Sequence, residues 1–196
     1  VPGEELTTFS WGHFNVYPQT VDPTLPNNGA VDWYYKDTPE VYAAVHADPL
    51  DPILQINHPR SSAFQGYFTT LGFDPVEGTV SKPELWSPDF TALEVVNGEA
   101  FVEIEETVAR DWFALLDMGL HFAAMGNSDT HDYVGTEIGY PRTCLILGHD
   151  DPGALTNTDI KDAILDMKTI VSGGILVTAT GAGGEEPGDI ADAPSG

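Results

Sequence analysis

Ile53-Leu54-Gln55-Ile56-Asn57-His58-Pro59-Arg60 is a short, mostly apolar run that stops at a histidine followed by a proline. Its length and composition suit a buried strand, and Pro59, which has no N–H to give to a ladder, ends the pairing there. Similar runs return at Ala92-Leu93-Glu94-Val95-Val96, Phe122 to Met125, Thr143 to Leu147 and Ile175-Leu176-Val177-Thr178. Short, nearly continuous apolar segments of this kind predict a buried parallel sheet. Helical patterns lie between them. Thr38-Pro39-Glu40 predicts an N-cap with proline at the first helical position, opening a helix through about Ala47. Val108, Trp112, Leu115 and Leu116 form a stripe ending before Gly119, and Ile160, Ile164, Met167 and Val171 repeat it up to Gly173. Strands alternating with helices predict an α/β fold.

The chain has 196 residues, of which 41% are hydrophobic and 19% charged, a composition for one globular core. Residues 1–180 read as one domain and 181–196 as a Gly/Pro/Asp-rich tail. The segments 18–31 and 61–88, rich in Pro, Gly, Asn and Thr, are longer than ordinary connections and read as functional loops. Seven Lys+Arg against 31 Asp+Glu give a formal charge of -24, a field that repels nucleic acid and anionic membranes. A small neutral or monoanionic molecule is the partner such a surface admits. The single cysteine, Cys144, excludes an intrachain disulfide and a cysteine–zinc cluster, and its apolar surroundings predict a small core residue. No apolar run is long enough to span a bilayer. The Lys-poor, acidic composition leans towards an extracellular, periplasmic or saline setting. The start at Val1-Pro2-Gly3, without methionine, reads as an excised or processed piece of a longer protein.

Four places set metal-ligand side chains beside apolar runs and turn residues: Glu4-Glu5 after Gly3, His13 after Gly12, His58 before Pro59, and Asp129-Thr130-His131 after the run ending at Met125. In extended backbone, residues i and i+2 share a face, so Asp129 and His131 point the same way. His58 falls at the carboxyl end of a strand, where α/β sheets carry their sites. Each of these has a plainer reading. A lone Asp-x-His is commonly a hydrogen-bonded turn, His13 a strand histidine bonded to backbone, and Glu4 and Glu5 solvated acids. His46, near a helix end, reads as structural, and His121 and His149 fall outside the site. Glu94, inside an apolar strand, needs a partner: support of a metal ligand or an ordinary hydrogen bond. Gly181-Ala182-Gly183-Gly184 lacks the spacing of a phosphate loop, and no Gly-x-Ser-x-Gly elbow is present. Imidazole and carboxylate donors without thiolate suit zinc, manganese or iron. Arg60 and Arg142, beside these segments, are candidates to fork onto an anionic substrate group.

Pro2-Gly3-Glu4-Glu5-Leu6-Thr7-Thr8, Gly12-His13-Phe14-Asn15, Asn57-His58-Pro59-Arg60, Leu93-Glu94-Val95-Val96-Asn97-Gly98, Gly126-Asn127-Ser128-Asp129-Thr130-His131 and Pro141-Arg142-Thr143, in that order, resemble the PHP (polymerase and histidinol phosphatase) superfamily. Within it the chain is most similar to the CehA/McbA-type metallohydrolases, over Pro2 to about Thr180. The resemblance implies a distorted (β/α)7 barrel, TIM-barrel-like, holding up to three divalent metals at its strand ends and hydrolysing phosphate or related esters. By motif, Glu5 bridges two metals, His13 and His58 complete the second, Asp129 binds the first and His131 the third. Glu5 is preferred to Glu4 because the family's acid stands two residues after the glycine. The chain departs from the family in having no His-x-His. The barrel is therefore expected to be incomplete at its N-terminus, with the first and third metals short of ligands. The alternative is a non-catalytic metal- or ligand-binding module.

Overall fold

A computed structural model of the chain describes residues 1–62, 64–98, 108–134 and 138–191. In chain order the elements are β1 (Glu4–Thr7), β2 (His13–Tyr17), α1 (Thr38–His46), β3 (Ile53–Asn57), α2 (Tyr67–Leu71), β4 (Phe73–Asp74), β5 (Thr79–Val80), β6 (Ala92–Asn97), α3 (Val108–Asp117), β7 (Ala123–Asn127), β8 (Arg142–Leu145), α4 (Asn157–Leu165) and β9 (Thr169–Ser172). The main sheet has the order β1-β2-β3-β6-β7. β3, β6 and β7 run parallel, whereas β1 on β2 and β2 on β3 are antiparallel. β4 with β5 and β8 with β9 form two further antiparallel pairs.

This corrects the (β/α)7 barrel and the all-parallel sheet. The architecture is mixed α/β with mostly antiparallel pairings, and no barrel closes among the described residues. The reason is local at one end and lateral at the other. Residues 8–12 between β1 and β2 are too few for the dozen or more that a parallel crossover needs, so those strands must fold back on each other. Beyond β7, the β8–β9 pair is joined by side chains instead of a backbone ladder. The Thr143 hydroxyl bonds Gly126 N at 2.9 Å and Gly126 O at 3.1 Å, and the Thr169 hydroxyl donates to Ala124 O at 3.0 Å.

Three further expectations shift. Asp37, not Thr38, caps α1: its carboxylate accepts from Glu40 N while the Glu40 side chain accepts from Asp37 N, a capping box. α4 stops at Leu165, and the stripe expected to continue through Met167 and Val171 breaks because Met167 has φ 55° and the β-branched Thr169-Ile170-Val171 pairs as β9. Ile175-Leu176-Val177-Thr178 forms no strand, and Ile175 is 82% exposed. Cys144 is half-buried on β8. Of the 181–196 tail, residues 181–191 are described, with a turn closed by Gly184 N to Gly181 O, and 192–196 lie outside the described residues.

The two faces of the sheet differ in kind. Phe14, Val16, Leu54, Ile56 and Leu93 pack with Tyr42 of α1, Tyr67 and Phe68 of α2 and Leu115 of α3 in the larger core. Phe14, Tyr42 and Tyr67 meet edge-on or tilted, with ring centroids 5.4–5.9 Å apart, a geometry worth about 0.5–1.5 kcal/mol per pair beyond burial. On the opposite face Ile53, Ala92, Ala123 and Met125 meet Ile164 of α4, and towards the carboxyl ends of β3, β6 and β7 this face turns polar. Among the described residues no helix is long and apolar enough to cross a membrane.

Candidate metal centre

Strand alternation and register build the polar face. Glu5 pairs with Asn15 and Asn15 with Gln55; Thr7 pairs with His13 and His13 with Asn57. Residues opposite one another in neighbouring strands share a face, so Glu5, His13 and Asn57 converge. Glu4, one position away, points elsewhere: its Oε1 accepts from Val31 N at 2.8 Å and from the Gln19 side chain, pinning the 18–31 loop. Gly12, at φ 111°, admits no side chain, because a Cβ there would meet Tyr67 N at 2.9 Å. That close approach seats the turn leading into His13.

Glu5, His13 and His58 each offer a ligand atom, and the three atoms lie within 4.8 Å of one another. His13 Nδ1 is 3.4 Å from Glu5 Oε1, and the His13 and His58 rings meet edge-on at 4.8 Å. Bonds of about 2.1 Å to a tetrahedral ion would set donors about 3.5 Å apart, so small side-chain rotations complete the approach. Two observations fit these residues to a cation. His58 Nδ1 is buried with no hydrogen-bond partner. The His13 imidazole is held below its ordinary pKa, by burial first and by the neighbouring His58 second, against the pull of Glu5 and Asp129, which leaves it neutral and able to donate a lone pair at pH 7.

Asp129 and His131 join the same cavity, a volume of about 520 Å³ that also receives Arg60 and Glu94. His131 Nε2 lies 2.9 Å from Asp129 Oδ1, and Asn97 donates to Asp129 Oδ2 at 3.2 Å. The five sequence candidates thus line one cavity, with Glu5, His13 and His58 as its tight cluster and the Asp129–His131 pair beside it. His58 and Asp129 both have positive φ, 27° and 47°, a region that costs a non-glycine residue free energy and that recurs at functional sites.

Of the residues behind the cluster, the sequence singled out Glu94 but gave no role to Tyr17, Gln55 or Asn57. Tyr17 donates to Gln55 at 3.0 Å, Gln55 to Asn57 at 2.9 Å, and Asn57 to Glu5 at 3.3 Å, a relay that orients the Glu5 carboxylate. Gln55 and Asn57 are buried polar residues inside an otherwise apolar strand, the one signal that would have marked them. Glu94, 2% exposed, accepts from the His58 backbone N–H, from Asn97 at 3.0 Å and from Asn127 at 2.6 Å. Burial pushes its carboxyl above the usual range, against those three donors. Its partners are ordinary hydrogen-bond donors, one of them the backbone N–H of the candidate ligand His58. A bulge between Glu94 and Val96 changes the pairing just where these bonds are made.

The two arginines have other partners. Arg60 forks onto Asp111, Nε to Oδ2 at 2.6 Å and Nη2 to Oδ1 at 2.5 Å, and also donates to Phe73 O at 2.9 Å. Its charge is committed to a buried carboxylate, so it reaches the cavity wall without offering a free fork. Arg142 lies over the Tyr140 ring at 4.1 Å and lines an adjoining cavity of about 500 Å³ that shares Glu5, His58 and Asp129 with the first. His46 bonds Asp51 and Asp89 O, both at 3.0 Å, the structural role its helix position predicts.

No family model, curated protein or solved structure was found to match the chain. The PHP resemblance rests on the sequence motifs alone, and the barrel it implies is not the fold found.

Proposed function

We propose that this protein is a metal-dependent hydrolase of phosphate or related esters, akin to the CehA/McbA-type branch of the PHP superfamily. The convergence of Glu5, His13 and His58 donor atoms within 4.8 Å carries the reading. Two imidazoles and one carboxylate are a donor set for zinc, manganese or iron, and three protein ligands leave a coordination position open. Glu5, His13 and His58 would hold the ion, whose chemistry there would be to lower the pKa of a bound water and polarise an ester oxygen. The protein's own part is positioning. Glu5 is oriented by Asn57, His58 is held by Glu94 through its backbone, and Asp129 with His131 flanks the cluster as an acceptor–donor pair. The acidic surface favours a neutral or monoanionic ester over a highly phosphorylated one.

A second reading, a metal-holding module without turnover, is favoured by one observation: among the described residues only three donors form the tight cluster. Calorimetric titration with zinc and with manganese, followed by assay of an aryl phosphodiester and an aryl ester, separates the two. Binding with turnover that His58→Ala abolishes supports the hydrolase. Binding without turnover supports the module, and absence of binding removes both.

A further inference from the structure

A separate cavity of about 470 Å³ opens beside the β1–β2 turn, walled by Phe9, Trp11, Trp33, Tyr34 and Tyr35 and edged by Glu40. Phe9 is 74% exposed, Tyr34 57% and Tyr35 92%. Tyr35 also has φ 60°, a conformation that is costly for a bulky residue and that turns its ring out of the core. We propose that this cavity binds the quaternary ammonium group of a small organic molecule.

Ring geometry is the first argument. Phe9 and Trp33 meet at 83° with centroids 5.2 Å apart, Trp33 and Tyr34 at 76° and 5.9 Å, and Tyr34 and Tyr35 at 57° and 4.2 Å. At these separations the rings touch one another in a chain, so a compact cation would rest against the ring surface left open to the cavity and not between the paired rings.

Charge is the second. Lys36 borders the cavity, but its ammonium lies 3.3 Å from Asp32 Oδ2 and also donates to Asp32 O, so its charge is compensated. Asp37 and Glu40 leave the rim negative. A permanent cation without N–H groups suits such a site, because it loses little hydration on entry and demands no hydrogen-bond acceptor.

Rigidity is the third. Trp11 Nε1 donates to Lys36 O at 2.7 Å, tying the turn to the aromatic loop, and the Asp37–Glu40 capping box fixes where that loop enters α1. Backbone held before binding spends less free energy on ordering when a ligand arrives.

None of the cluster residues Glu5, His13 and His58 lines this cavity, so its test and that of the metal centre fail independently. The protein is titrated by calorimetry with choline chloride and with its neutral isostere 3,3-dimethylbutan-1-ol, sodium chloride serving as the ionic control. Saturable choline binding is expected, at least about fivefold tighter than the alcohol and weakened about three- to tenfold by Phe9→Ala. Trp33→Ala, with circular dichroism to check folding, is expected to weaken it as much or more. Equal affinity for the alcohol, choline affinity unchanged in Phe9→Ala, or no saturable binding of choline overturns the proposal.

Discussion

The carboxyl group of Glu94 accepts the backbone N–H of His58, so a buried acid on β6 holds the residue that leaves β3 with φ 27°. A histidine in that conformation would relax towards an ordinary turn if released. Glu94 instead links three strand ends at once, through His58 after β3, Asn97 of β6 and Asn127 of β7.

Glu94→Gln should loosen this arrangement. The substituted amide would turn an N–H₂ group towards donors, leaving at least one of the His58, Asn97 and Asn127 N–H groups unsatisfied. A loss of about 1–3 kcal/mol is expected from urea unfolding, with zinc affinity down about 10–100-fold in calorimetry. Full zinc affinity in the folded variant would show that Glu94 plays no part in holding His58.

Arg60→Ala tests whether that arginine supports the fold or binds substrate. Asp111 is 1% exposed and accepts both arms of the Arg60 fork, so truncation strands a buried carboxylate. About 3–5 kcal/mol of stability should be lost in thermal or urea unfolding. Asp111→Asn should be milder, since it leaves an acceptor for one arm. An Arg60→Ala protein as stable as the parent but with a raised KM would return the residue to substrate binding.

Asp51 carries a pH signature. The hydrogen bond from His46, and then Lys161, hold its carboxyl below the usual range. A depressed folded-state pKa contributes stability that is present above the unfolded carboxylate value of about 3.9 and lost as pH falls through the folded one. Asp51→Asn should flatten the unfolding midpoint against pH below about pH 4 relative to the parent. Asparagine tolerates the φ of 45° at this position, so the change isolates charge from backbone strain. An unaltered acid limb would mean that the His46–Asp51 contact adds no stability.

How far the sequence reached can be read from single residues. Apolar runs located β3, β6 and β7, and Pro59 marked the end at which His58 stands, because these signals are local: the period of one strand, the missing N–H of one proline. The motif resemblance, not strand alternation, singled out Glu5 over Glu4, and the five candidate ligands line one cavity. Pairing direction was not legible in the same way, since it is a property of two strands and of what joins them.

The sequence by itself determined which positions carry donor atoms, that His58 follows the end of β3 directly before Pro59, and that the chain carries a formal charge of -24. Only the tertiary structure decided that the sheet is mixed and open, that Arg60 belongs to Asp111, 51 residues away, and that Phe9 meets Trp33 in an exposed aromatic cavity. The physical reason is range. Periodicity and turn chemistry act within a few residues, whereas ion pairs, ring contacts and strand order depend on which distant segments burial brings together.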